Sequence, residues 1–98
     1  MGKPVIRQTI DVSTGHGCWP PSIPMLGSLN VFVNGFGAMR AGDMYTPHCC
    51  VVVACHPVMA MSAGPKKTNI NGLPVHTNGD VMPCGDTAGV GSPNVMAG

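Results

Sequence analysis

Four histidines and five cysteines are the side chains in this chain that could do chemistry, and they fall into groups. His16 and Cys18 lie in Gly15-His-Gly-Cys-Trp-Pro-Pro21. His48, Cys49, Cys50, Cys55 and His56 form a second group, and His76 and Cys84 flank a Gly-Asp pair. Imidazole and thiolate in such company suit a divalent metal, and a structural zinc site needs four such ligands in a closed tetrahedron. No Cys-x-x-Cys pair is present, so a zinc-finger knuckle is excluded and the ligands must converge from separate loops. His16, His48, His76 and Cys84 are the favoured set, because each stands next to a turn and outside a strand pattern. Cys18 and His56 compete for a place in it. Cys49, Cys50 and Cys55 sit in Cys-Cys-Val-Val-Val-Ala-Cys and read as small apolar packing groups. A reducing cytosol argues against disulfides.

Catalytic readings are weaker. The only carboxylates are Asp11, Asp43, Asp80 and Asp86, and two of them belong to turns. A Cys-His nucleophile pair could be assembled in many ways, which favours none. No phosphate-cradling loop or dinucleotide fingerprint occurs. A small Cys/His metalloenzyme or redox protein is the alternative, and it requires an open ligand position or a reactive thiolate. A generic binding module with an incidental metal is a third reading.

The elements that must position these ligands are short strands. Fourteen Gly and ten Pro interrupt every stretch that could be helical. Two Phe, one Trp, one Tyr and three Leu make a meagre core for 98 residues, so one domain spanning 1–98, held by an extra staple, is expected. The chain is 44% hydrophobic and 9% charged, which argues against disorder. A net charge of +1 gives no footprint for nucleic acid. The N-terminus has no apolar signal region, and the apolar run from Cys49 to Ala63 is too interrupted to span a bilayer, which points to folding in the cytoplasm.

Internal repetition organises the rest. Asn34-Gly35 recurs as Asn71-Gly72, and Gly42-Asp43 recurs as Gly79-Asp80, both at a spacing of 37. Gly91-Ser-Pro-Asn-Val95 echoes Gly27-Ser-Leu-Asn-Val31. Asn-Gly between β-formers is the signature of a type I′ hairpin turn, whose two central residues need positive φ. Each unit therefore reads as strand, Asn-Gly turn, strand, Gly-Asp turn, and a leg toward the metal.

Gly27-Ser-Leu-Asn-Val-Phe-Val-Asn-Gly35, followed by Gly37-Ala-Met-Arg-Ala-Gly-Asp43, resembles the signature of the PAAR-repeat proteins. That family is named for a Pro-Ala-Ala-Arg motif, which follows a Gly-Ser-x-x-Val-x-Val-Asn-Gly segment. Asn71-Gly-Leu-Pro-Val-His-Thr-Asn-Gly-Asp80 is similar to a diverged copy, and Gly91 to Val95 to the closing half-repeat. The motif reads Gly-Ala-Met-Arg in the first unit and Pro-Val-His-Thr in the second, so its Arg survives only as Arg40. The Cys49 to Ala63 segment looks like an added linker.

The resemblance implies an all-β fold: a small cone of short β-hairpins in pseudo-threefold arrangement, with a metal near its vertex. It implies a structural role and no enzyme activity. The expected part is the membrane-piercing tip of a contractile injection machine, in a type VI secretion system or a bacteriophage tail. Its base would seat on a trimeric β-helical spike, one tip per trimer, and its vertex would touch the target membrane transiently. It would assemble in the bacterial cytoplasm and end in a virion tail or a target cell. By position the family's three His and one Cys fall on His16, His48, His76 and Cys84. Zinc is expected ahead of iron.

Overall fold

The structure is a computed structural model, and it describes residues 2–50, 53–62 and 66–98. These residues contain eight short strands and no helix. They are β1 (Lys3–Pro4), β2 (Phe32–Val33), β3 (Phe36–Gly37), β4 (Met44–Cys49), β5 (Cys55–Met59), β6 (Asn69–Ile70), β7 (Leu73–Pro74) and β8 (Met96–Ala97). All pair antiparallel, as β1–β8, β2–β3, β4–β5 and β6–β7.

The Asn-Gly signals are hairpin turns. Asn34 and Asn71 have φ of 53° and 54°, and Gly35 and Gly72 follow at 87° and 81°. Successive positive φ values are what the type I′ turn requires. The Gly-Asp pairs also turn the chain, with Gly42 at 99° and Gly79 at 86°.

Three equivalent units close into a ring. The amide of Met39 donates to the Ile6 carbonyl (2.9 Å), that of His76 to Met39 (3.0 Å), and that of Ile6 to His76 (3.0 Å). One step outward, Gln8 donates to Gly37, Ala41 to Pro74, and Asn78 to Pro4. A cyclic set of bonds between three positions is a pseudo-threefold axis written in backbone. The third unit is made by the two chain ends: β8 and β1 take the place that β2–β3 and β6–β7 hold in the others. Thus Val5-Ile6-Arg7, Ala38-Met39-Arg40 and Val75-His76-Thr77 are copies. Arg7 is thus a second motif arginine, beside Arg40.

Each unit is locked by a carboxylate. Asp11 accepts the amide and the guanidinium of Arg7, at 2.8 Å and 2.7 Å, and Asp43 does the same for Arg40, at 3.0 Å and 2.9 Å. These hydrogen bonds, ahead of the charge attraction, hold both guanidinium groups above their ordinary pKa. Each arginine also reaches the turn asparagine of a neighbouring hairpin, Arg7 to Asn34 and Arg40 to Asn71. In the second unit Thr77 replaces the arginine, and its amide still donates to Asp80 (2.9 Å). Lys66 supplies the missing cation, with Nζ 2.6 Å from Thr77 Oγ1 and 3.0 Å from Asp80.

The core is two stacked layers. Val5, Val33, Ala38, Ile70 and Val75 fill the ring, with Val95 and Ala97 against them. Ile6, Met39, Tyr45, Val58, Ala60, Met82 and Ala88 form the next layer. The molecule measures 39 × 25 × 23 Å, so it is extended along one axis. Closure of the third unit leaves no room at Gly91. A Cβ there would lie 2.6 Å from the Val5 carbonyl oxygen and 2.8 Å from that of Pro4. Backbone cannot swing away as a side chain can, so Gly91→Ala is expected to cost about 1–3 kcal/mol. Denaturant unfolding of the variant checks this, with an unchanged midpoint as the contrary result.

The apolar Cys49 to Ala63 segment is not a plain linker. Val51, Val52 and Ala63 lie outside the described residues, but Cys55 to Met59 are β5, paired along β4.

Candidate metal centre

The β4–β5 hairpin carries the site away from the ring. At its near end Met44 pairs with Met59 and Tyr45 with Val58; at its far end His48 pairs with His56 and Cys49 with Cys55. The register shifts between Tyr45 and His48. In a regular strand residues three apart face opposite sides, but the extra residue of a bulge brings them to one side. Tyr45 and His48 are both buried as a result. Pro47 and Pro57, which lack the amide that an unbroken ladder needs, lie within this irregularity.

Two loops bring the other ligands. His16 opens a tight turn in which His16 and Trp19 exchange backbone bonds of 3.0 Å and 2.8 Å. Gly15, at φ 76°, must be glycine, because a Cβ would meet the Trp19 oxygen at 2.8 Å. The Trp19 ring stacks on His16 (centroids 5.0 Å apart) and lies 4.9 Å from His56, while its Nε1 donates to the Ala54 oxygen (3.0 Å). Cys84 sits in the turn closed by Gly85 N to Met82 O (2.9 Å).

His16, His48, His56 and Cys84 come together, with one ligand atom of each within 4.8 Å of all the others. The Nε2 atoms lie 3.2 Å apart for His16 and His48, 3.3 Å for His16 and His56, and 2.6 Å for His48 and His56. A tetrahedral zinc with bonds of about 2.0–2.1 Å to nitrogen sets its nitrogens about 3.3 Å apart. Two of the three distances match that spacing. The donor chemistry fits as well. His48 Nδ1 donates to the Pro20 oxygen (2.8 Å), so its Nε2 presents a lone pair to two other imidazole nitrogens. Buried Asp86 stands 3.8 Å behind the same Nδ1. Partial desolvation, reinforced by the neighbouring His48 and His16, pushes His56 below its ordinary pKa and so toward the neutral form that binds metal.

His76 is not in this group. It occupies the ring position equivalent to Ile6 and Met39, fully buried in the stacked core. Both its ring nitrogens are engaged: Nδ1 donates to the Met61 oxygen (2.7 Å), and Nε2 accepts from the Tyr45 hydroxyl (2.8 Å). Burial, aided by Asp86, raises the Tyr45 pKa, which keeps that hydroxyl a donor. The group that could hold a metal thus has His56 where the expected set had His76. A signal for His56 existed in the sequence: His48-Cys49 and Cys55-His56 mirror each other about position 52, as cross-strand partners of a hairpin do.

The cysteine reading also changes. Cys18 is bonded to Cys50 and Cys49 to Cys55, so these four are staples and not packing thiols. Cys84 is the free cysteine among the described residues.

Four N and S groups that could hold a metal, beside a threefold ring of paired strands, define a class of small all-β domain. The family model described as PAAR motif matches residues 14–90, and this chain belongs to that family. It is similar to two toxins of Pseudomonas aeruginosa. One is the NAD(P)(+) glycohydrolase toxin Tse6 of strain PAO1, 36% identical over 76 residues, 74% of this chain and 18% of that protein. The other is the (p)ppApp synthetase toxin Tas1 of strain UCBPP-PA14, 36% identical over 76 residues, 74% of this chain and 17% of that protein. The chain thus spans less than a fifth of the length of these relatives.

Proposed function

We propose that this chain is the tip of a type VI secretion spike, structural and not catalytic. Its ring end seats on a trimeric β-helical spike, one tip per trimer, and its other end leads into the target cell. The closed cycle of amide bonds through Ile6, Met39 and His76 carries this reading. A single chain with three equivalent edges can meet a threefold partner without a mismatch. The ring end also exposes apolar side chains: Leu29 is 91% exposed and Phe32 60%, with Phe36, Leu73 and Met96 near them in the repeat pattern. Single exposed residues mean little, but a set spread over all three paired-strand units suits a docking face.

The relatives support a delivery role. Their names give two different reactions, yet each shares a segment of 76 residues with this chain at the same identity. What is common to both is more naturally transport than either chemistry. By this reading the chain assembles in the bacterial cytoplasm and is delivered into a target cell with the spike.

His16, His48, His56 and Cys84 would hold the metal, zinc by preference for a mixed N and S set. The ion would supply folding energy by tying together the loops that carry these four residues. The chain's own residues prepare for it: Pro20 fixes the His48 tautomer, the Trp19 ring backs His16, and the β4 bulge turns His48 inward. Mixing the purified chain with a trimeric spike tests the docking. Mass measurement of the complex is expected to give one chain per trimer. Three chains per trimer, or no complex, would count against it.

A further inference from the structure

The two disulfides repeat the metal's connections. His16 and His48 are 32 residues apart and their Nε2 atoms are 3.2 Å apart; Cys18 and Cys50, two positions further along each segment, are also 32 apart and bonded. His48 and His56 face each other across β4 and β5, and the next pair along that ladder is the bonded Cys49 and Cys55. Each disulfide therefore joins the same two segments that a shared ion would join: the His16 loop to β4, and β4 to β5. The turn bearing Cys84 has no such duplicate, because Cys84 is free.

We propose that the thiols of Cys18, Cys49, Cys50 and Cys55 form a covalent clasp that takes over from the metal in an oxidising compartment. This rests on the metal reading above. With all four reduced, as in a bacterial cytoplasm, the ion alone gathers the His16 loop, β4, β5 and the Cys84 turn. On oxidation each thiol pair gives up two electrons and two protons and forms one S–S bond. A small-molecule disulfide such as oxidised glutathione takes them and leaves as two thiols, through a mixed disulfide. Three of the four segments then stay tied when the ion is lost, and only the Cys84 turn is released. A tip that passes from a reducing to an oxidising space keeps its shape even where chelators strip the ion.

The test compares four states of the full chain: oxidised with glutathione disulfide or reduced with a phosphine, each before and after removal of metal by a chelator. Thermal midpoint, released metal and intact mass after maleimide labelling are read in each. In the reduced form chelation is expected to lower the midpoint by roughly 10–20 °C and to expose five labelled thiols, counted from the five Cys. In the oxidised form the midpoint falls by less than half as much, and Cys84 alone is labelled. The double variant Cys18→Ser/Cys50→Ser restores chelator sensitivity under oxidation. If that variant fails to fold, Cys49→Ser/Cys55→Ser serves, with a smaller restoration. Oxidised and reduced metal-free chains that melt together would overturn the clasp. A chelator that releases no metal and shifts neither form overturns the metal reading instead, and the gap between oxidised and reduced chains still decides the clasp.

Discussion

His56→Ala is expected to abolish metal binding, whereas His76→Ala keeps one ion per chain. His56 brings its Nε2 to within 3.3 Å of both His16 and His48, so its loss leaves three ligands where a closed site needs four. A structural zinc is worth about 10–16 kcal/mol of apparent binding energy in small domains, and much of that is spent ordering the loops it gathers. Under reducing conditions, where no disulfide shares the task, the His56 variant should melt roughly 10–20 °C below the parent. His76 acts differently. Its removal opens a cavity beside Tyr45 and strands the Tyr45 hydroxyl and the Met61 carbonyl, at about 2–5 kcal/mol. Both variants are destabilised, so melting alone does not separate them; metal content does. Retention of a full equivalent of metal by His56→Ala, or its loss from His76→Ala, would reverse the assignment.

Leu29→Asp/Phe32→Asp should remove spike binding without touching the metal. Burying an apolar side chain of this size contributes about 1.5–3 kcal/mol, and a carboxylate in its place adds a desolvation cost. Together the two changes are expected to weaken the complex at least about 100-fold. Val53→Asp is the control, since Val53 is 67% exposed at the far end of the β4–β5 hairpin. Titration of each variant against an immobilised trimeric spike checks this. Equal weakening by Val53→Asp, or none by the Leu29/Phe32 pair, would place the docking face elsewhere.

The hairpins were legible because their signals are local. Asn34-Gly35 and Asn71-Gly72 state their turn type in two residues, and the positive φ values at both sites agree. Gly42 and Gly79 mark the second turns for the same reason. The third unit was harder to read, since its strands stand at opposite ends of the chain and no short window holds both. The Gly91 to Val95 echo marks its last strand, and Lys3-Pro-Val-Ile-Arg7 against Leu73-Pro-Val-His-Thr77 carries the trace of its first.

His76 falls outside the candidate group for a related reason. Proximity to the Gly79-Asp80 turn suggested a ligand, but the repeat register decides which way the side chain faces. Position 76 is equivalent to Ile6 and Met39, both core residues. His48 owes its inward direction to a bulge, which strand alternation alone does not reveal. A reducing compartment argues against disulfides, but the cross-strand placement of Cys49 and Cys55 permits one.

X-ray absorption at the zinc edge of the purified, metal-loaded chain bears most directly on the gathering of four distant segments around one ion. Three nitrogen scatterers at about 2.0 Å and one sulfur at about 2.3 Å are expected. A shell with no sulfur, or one of six light atoms, would contradict the joint coordination by His16, His48, His56 and Cys84.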